Sequence, residues 1–297
     1  MNIGPRIAQA FLHACALDVA VRKPGNVSQA SSGHRMEAAQ FLRSAEVAAP
    51  ALSASGAAVG SRIEAAMRAT WDTVGCNTNL GIVLLCAPLA RAAELLWLHQ
   101  RPLNAGTLRR QLDTVLQDLD LDDAAGAYRA IALVQPGGLG QAEAQDVRQT
   151  PSINLREAMT LAAGRDRIAL QYAQGFAELF ELGLPGLQPH IGGLDPAALR
   201  RAVQLCFLQW LRSAPDTHIE RKHGRTTAQS VQELAQDWWH TLLQAGPPMP
   251  GPEDDPAMTQ AWATWDEQLK QHGLNPGTSA DLTVASAFLA ALLDPSA

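Results

Sequence analysis

The chain has 297 residues, 47% of them hydrophobic and 18% charged, with 23 lysines and arginines against 29 aspartates and glutamates for a net charge of −6. A chain of this length buries about three quarters of its unfolded surface, and this composition is too apolar for disorder. The acidic balance supplies no field to gather phosphate backbones, so nucleic acid is not an expected partner.

Two tyrosines and six phenylalanines leave little for cross-strand aromatic packing, and helix is favoured. Cys15, Cys76, Cys86 and Cys206 show no Cys-x-x-Cys or zinc-type spacing and read as reduced core residues. The chain enters an amphipathic pattern directly, and its longest apolar run, residues 82–90, is broken by Pro88 and too short for a membrane span. A cytoplasmic address without a membrane partner is the expectation.

Ala8, Phe11, Leu12, Cys15 and Val19 recur at helical spacing and predict a first helix that stops before Lys23-Pro24-Gly25-Asn26. Residues 36–47 predict a second helix ended by Pro50, residues 57–71 a third, and the apolar stretch 80–98 a fourth, bent at Pro88. Leu108 to Leu119 mark another, and a short one around 124–134 ends at the glycine-rich loop 136–140. Residues 155–182 read as one long helix, interrupted at most near Gly164 and terminated by Gly183-Leu184-Pro185-Gly186.

Asp195-Pro196 opens a further helix towards Pro215, with an aspartate cap and proline in its first turn. Another covers 226–243. The Pro/Gly-rich stretch 245–255 reads as a surface loop, after which 256–271 and 280–293 are too short for a core of their own and should pack back on the bundle. No period-two alternation, βαβ rhythm or internal repeat is present. The expectation is an all-α, single-domain multi-helix bundle spanning 1–297.

The distinctive polar residues fall at junctions between apolar helices: Lys23 to Asn26, Ser32 to Glu37, Asn77-Thr78-Asn79, His218 to Gly224, and Asn275 to Asp281. Unpaired N–H groups at helix starts attract anions, so these junctions fit a phosphorylated ligand. Each also has a plainer reading. Asn77 to Asn79 or Ser279 can simply cap the helix that follows, and Asp281 suits a first helical turn. His218, Arg221, Lys222 and His223 can be a solvated helix end; the five-residue separation of the histidines is not that of a two-histidine zinc site. Glu37 and Asp281 are hard oxygen ligands suited to magnesium, although scattered carboxylates are common. His34 and Glu37 would share a face if the second helix began this early. Lys23 is either a helix-end charge or an ammonium held by a rigid Pro-Gly turn. The glycine-rich 136–140 stretch is no P-loop, no Gly-x-Ser-x-Gly elbow occurs, and six tryptophans (97, 210, 238, 239, 262 and 265) read as core or helix-contact residues.

Taken together, Lys23-Pro24-Gly25-Asn26-Val27, Gly33-His34 through Phe41, Gly75-Cys76-Asn77-Thr78-Asn79 with Gly81, Arg221-Lys222-His223-Gly224, and Asn275 through Leu282 resemble the triphosphoribosyl-dephospho-CoA synthase family over nearly the whole chain. The resemblance implies an all-α enzyme that takes a triphosphoribosyl group from ATP, releases adenine and attaches the ribose to a hydroxyl of dephospho-CoA or a related coenzyme precursor. It implies Mg2+ with ATP, held by Glu37 and Asp281, and makes His34, Glu37 and Asp281 the catalytic candidates. Lys23, Arg221 and Lys222 would face phosphates, with Asn26, Asn77, Thr78, Asn79, His218, His223, Asn275 and Ser279 completing the substrate-binding set. Two departures stand out: Arg35 occupies a position where members tend to carry an acid, and Asn79-Leu80 stands where they tend to carry His-Lys. Arg35 is therefore the expected replacement cation. Thr217 to Gly224, Gln145-Asp146-Val147 and Arg165 to Ile168 are closer to a divergent branch beside one-carbon coenzyme pathways in methanogens and methylotrophs. A phosphoribosyl transferase of one-carbon (methanopterin-type) coenzyme synthesis, a nucleotide or ribosyl hydrolase and a non-enzymatic helical module are the alternatives. A homodimer is compatible with all of them.

Overall fold

The computed structural model describes residues 3–136, 145–244 and 251–295. Its helices are α1 (Gly4–Ala20), α2 (Ala38–Leu52), α3 (Val59–Val74), α4 (Leu80–Leu98), α5 (Ala105–Gln117), α6 (Leu121–Val134), α7 (Leu155–Ala162), α8 (Arg167–Ala173), α9 (Leu184–Leu187), α10 (Pro196–Ser213), α11 (Thr217–His223), α12 (Arg225–Gln244), α13 (Pro256–Gln271) and α14 (Gly277–Leu293). Among the described residues the only ladder contacts are two isolated bridges, Ser28 with Ser31 and Gly33 with Met36. The all-α multi-helix bundle expected from the sequence is what forms.

The two most apolar helices set the centre. Both α4 and α14 lack a polar stripe, and a helix apolar all round must be surrounded. Accordingly α14 packs on α1, α4 and α10, and α4 also contacts α3 and α5. Among the described residues α4 is the one helix long and apolar enough to cross a membrane, and 83% of its apolar window is buried inside the fold. A second apolar cluster joins α10, α11, α12, α13 and the start of α14 through Phe207, Ile219, Val231, Trp262 and Ala280. Trp238, Trp262 and Trp265 form its aromatic heart, so 256–271 packs back as expected. Trp97, by contrast, is exposed.

Several boundaries differ from the sequence expectation for local reasons. Pro50 does not end α2 but lies in its last turn; at that point the lost donor costs one ladder bond and the helix has only two residues left to run. The single helix expected over 155–182 is broken, because Asp166 accepts from Ile168 N and Ala169 N and thereby starts α8, and Gly175 and Phe176 then adopt positive φ before a π-helical turn at Leu179–Gly183. Gly183 to Gly186 continue into α9 rather than terminating. Met36 and Glu37 precede α2, so His34 and Glu37 share no helical face. The junction at 218–223 is itself helical, as α11. Residues 137–140 of the glycine-rich loop and 245–250 of the Pro/Gly-rich stretch lie outside the described residues.

Glycine fixes one crossing that matters for the site. A Cβ at Gly60 would lie 2.4 Å from Asp123 Cα, and one at Gly126 would lie 2.5 Å from Gly60 O, while Gly60 N donates to Asp123 Oδ1 at 2.6 Å. The backbones of α3 and α6 therefore touch. Gly126→Ala should push α6 off α3 and destabilise the protein by about 1–3 kcal/mol, read as a lower urea midpoint. Gly164→Ala, whose methyl would meet nothing within 4 Å, should change stability by less than about 0.5 kcal/mol.

Candidate active site

The starts of α4, α8, α11 and α14 converge with α6, α7 and the 23–36 loop on a cavity of about 550 Å³. Its lining divides by chemistry. One wall, from α6, α7 and α8 with Leu84 of α4, is apolar: Ile131, Val134, Leu155, Ala158, Met159, Ile168 and Ala169. The facing side is polar, with Asp18, Asn26, His34, Asn77, Thr78, Asn79, His218, Asn275 and Asp281. Asp146, Arg165, Asp166, Glu220, Arg221 and Lys222 supply the charged remainder.

The asparagines before α4 do both of the things their position allows. Asn77 Oδ1 accepts from Leu80 N at 3.2 Å, a capping contact, and Thr78 Oγ1 donates to Ser44 Oγ at 2.6 Å. Asn79 Nδ2 donates to Thr70 Oγ1 at 3.2 Å, which leaves its Oδ1 buried without a partner. Asn26 is similar: Nδ2 donates to Asn275 Oδ1 at 3.0 Å, and its own Oδ1 is unpaired. Both asparagines are at least nine-tenths buried. An unpaired buried acceptor is costly, and both of these belong to residues that line the cavity.

Asp281 projects from the first turn of α14 against the start of α4. A Cβ at Gly81 would come within 2.1 Å of Asp281 Oδ2, so glycine there is what admits the carboxylate. Burial pushes the Asp281 carboxyl well up, with further upward pressure from Asp18, Asp216 and Asp166 and relief from Arg221. His34, at φ 54, donates Nε2–H to Gly25 O at 2.8 Å, and burial lowers its basicity. Since a carbonyl can only accept, Nδ1 of the neutral ring is the free acceptor. His218 is pushed down to about 3 by burial, then by Lys222 and Arg221, and its Nε2 is buried without a partner. It is neutral at physiological pH and offers a hydrogen bond, not a charge. Burial, followed by Arg221, also lowers Lys222.

Ten of the fifteen residues singled out from the sequence line this cavity: Asn26, His34, Asn77, Thr78, Asn79, His218, Arg221, Lys222, Asn275 and Asp281. Five do not. Lys23 is fully buried beside the cavity, its ammonium 2.8 Å from Asp18 Oδ1 and bonded to Asp18 O; it holds a cavity carboxylate in place instead of facing phosphate. Ser279 is likewise buried, with N and Oγ both donating to Asp216 Oδ2 at 2.8 Å. His223 is exposed and bonds Gly273 O at 3.2 Å. Arg35 and Glu37 are exposed outside the lining, Arg35 with φ 62 and Glu37 at the start of α2. Arg35 thus does not fill the place of the missing cation next to Leu80; Arg165 does reach the cavity and forms no ion pair among the described residues. Sequence reasoning passed over Asp18, although a carboxylate three residues after Cys15 on the buried stripe of α1 was a readable signal. Arg165 and Asp166, noted from the sequence only within the stretch closer to a divergent branch, also line the cavity.

The expected magnesium pair is not assembled, because Glu37 is away from Asp281's cavity. No three His, Cys, Asp or Glu side chains among the described residues are arranged to hold a metal.

The raised Asp281 carboxyl has a consequence for stability. A carboxyl whose folded value lies above its unfolded one favours folding at low pH, and that contribution is lost as pH rises from the unfolded value through the folded one. Asp281→Asn should therefore raise the melting temperature at pH 7 to 8, and the gain should shrink as pH falls towards the ordinary aspartate value. Parallel thermal melts of the two proteins across pH 4 to 8 test this; a gain independent of pH would place the effect elsewhere.

A search of curated proteins found no match. Among solved structures the chain is similar to a crystal structure from Archaeoglobus fulgidus, provisionally described as a triphosphoribosyl-dephospho-CoA synthase. The TM-score is 0.61 at 24% identity, over 85% of this chain and 98% of that one, a likeness of fold. The profile of the ATP:dephospho-CoA triphosphoribosyl transferase family matches residues 5–297. With all but the first four residues inside that match, the chain belongs to the ATP:dephospho-CoA triphosphoribosyl transferase family.

Proposed function

We propose that the cavity binds ATP and transfers its triphosphoribosyl group to a hydroxyl of dephospho-CoA or a related coenzyme precursor. The observation that carries this reading is the division of one cavity into an apolar wall, an acceptor-rich side and a group of cations. Those are the needs of a purine, a ribose and a triphosphate in turn. In the reaction the C1′–N9 bond breaks and its electron pair leaves with adenine, while the acceptor oxygen bonds C1′ and its proton is given up.

The residues fit the demands of that step. Asp18 and Asp281, with the unpaired Asn26 and Asn79 oxygens, accept ribose hydroxyls and stabilise positive charge developing at C1′. Arg165, Arg221 and Lys222 pair with phosphate oxygens. Neutral His34, with Nδ1 as acceptor, is the candidate to take the hydroxyl proton. Magnesium enters this reading only as a cation accompanying the triphosphate, with Asp281 the nearest predicted carboxylate, and no step is assigned to it.

Two measurements test the reading. Arg165→Ala should weaken ATP by about 1–3 kcal/mol, ADP by less and adenosine hardly at all, whereas Arg35→Ala should leave all three unchanged; titration calorimetry with the three ligands reads this. An equal loss across them would remove Arg165 from the phosphate site. Adenine release from ATP should rise on adding dephospho-CoA; release indifferent to any acceptor would make the enzyme a hydrolase.

A further inference from the structure

The loop that brings Asn26 and His34 to the cavity is gripped from behind by α13, through two side chains that lie outside the lining. Asp266 is wholly buried. Its Oδ1 accepts from Gly25 N at 2.9 Å, and its Oδ2 accepts from Lys270 Nζ at 3.0 Å with Arg22 Nε 3.6 Å away. Lys270, one helical turn on, also donates to Ser31 O at 3.2 Å, so the same pair reaches both limbs of the loop. A buried carboxylate is costly to keep, and this one is committed to the backbone N–H of a turn.

Gly25 passes that grip on. Lys23 to Asn26 form a turn closed by Asn26 N donating to Lys23 O at 2.9 Å, with Pro24 and then Gly25, at φ 79, in its middle. A Cβ at Gly25 would lie 2.7 Å from Leu274 O and 2.8 Å from Pro276 Cδ, so the residue is wedged against the chain that follows α13. Its N–H is held by Asp266, and its carbonyl accepts from His34 Nε2 at 2.8 Å. His34 itself sits with Arg35 at positive φ, in a turn closed by Met36 N donating to Gly33 O at 2.8 Å. Two such residues in succession are unfavourable unless their surroundings fix them, and a free imidazole carries its proton on either nitrogen. We propose that Asp266 is a positioning residue for His34: by fixing Gly25 it sets the carbonyl that holds the ring by Nε2–H and leaves Nδ1 as the bare acceptor. This rests on the reading of His34 as the group that takes the hydroxyl proton, and adds what keeps the ring in the state to do so.

Two double variants isolate the Gly25 contact. Asp266→Asn with Lys270→Met and Asp266→Ala with Lys270→Met both remove the ion pair and the Ser31 bond, but only the first keeps an acceptor for Gly25 N–H. Nitrogen NMR of the imidazole rings, with the His34 signals assigned by their loss in His34→Gln, reads the tautomer directly. Wild type and the asparagine pair should show a single Nε2–H form, and the alanine pair the averaged shifts of two tautomers. Adenine release from ATP with dephospho-CoA should fall by about tenfold or more in the alanine pair, and the asparagine pair should recover most of that loss. Identical spectra in the two pairs, or a wild-type ring protonated at Nδ1, overturn the proposal. So does an alanine pair that turns over as fast as the asparagine pair while His34→Gln is slow. Should the alanine pair not fold, Asp266→Glu with Lys270 kept decides, since it retains the charge but displaces the acceptor: its His34 ring should lose the single tautomer, and an unchanged spectrum overturns the proposal. A wild-type rate in His34→Gln, with the spectra as expected, overturns the proton-transfer reading of His34 and leaves its positioning by Asp266 intact.

Discussion

The carboxylate of Asp216 holds two helix starts with its two oxygens. Oδ1 accepts from His218 N and Ile219 N, and Oδ2 accepts from Ser279 N and Oγ. A seven-residue helix such as α11 has no stability of its own. Its direction is inherited from this joint with α14, the most deeply enclosed helix of the bundle, and from the Thr217–Thr278 contact at 3.0 Å. Burial works against the ionised form of Asp216, while the Ser279, Ile219 and His218 donors favour it. His218, Arg221 and Lys222 reach the cavity only because α11 is tied there. Asp166 repeats the device on α8, with Oδ1 capping the helix and Oδ2 3.2 Å from Arg221. The polar side of the cavity is therefore positioned by two carboxylates, Asp216 buried and Asp166 half-buried, whose oxygens are already committed, which separates the groups that build the site from those left to face a ligand.

Asp18 and Asp281 belong to the second kind. The protein keeps Asp18 charged-paired by sinking Lys23 beneath it, while Asp281 is left without a cation of its own and gains relief only from Arg221. Asp18, held by that ion pair, has met the cost of its orientation during folding, the condition under which a charged group acts most strongly on what binds beside it. Gly81 shows how closely this is built, since any side chain there would occupy the space of the Asp281 carboxylate.

Much of this was legible in the sequence, for identifiable reasons. Helices announced themselves by apolar spacing and by the cap at Asp195, whose side chain does accept from first-turn N–H groups. The junction motifs pointed to the cavity because polar residues between apolar helices have few other places to go. What the sequence did not reveal was which polar residue serves the fold and which the ligand. Lys23 and Ser279 sit within the same motifs as Asn26 and Asp281, yet their partners, Asp18 and Asp216, are fixed only by tertiary packing. The sequence allowed an interruption near Gly164, where the chain does turn, but Asp166 as the cap that starts α8 was hidden, because a cap inside a rhythmic run competes with the helix that the rhythm predicts. Arg165 sits in that same turn and lines the cavity, whereas Arg35, favoured from the sequence, does not.

The placement of cations follows from that same break. Leu80 stands at the start of α4, where its aliphatic side chain lines the cavity and can hold no anion. A continuous helix over 155–182 would have no turn at 163–166, and Arg165 would be one more residue on its surface. The turn that Asp166 creates instead sets Arg165 on the lining of the cavity that Arg221 and Lys222 also line. Arg221 has Asp166 for balance, but Lys222 is depressed by burial and by Arg221. Like charges held close in a partly dry site repel, and the lowered Lys222 records that burial and repulsion. With an aliphatic residue at the α4 start, the cations on the cavity lining are instead Arg165, from the turn before α8, and Arg221 and Lys222, from α11.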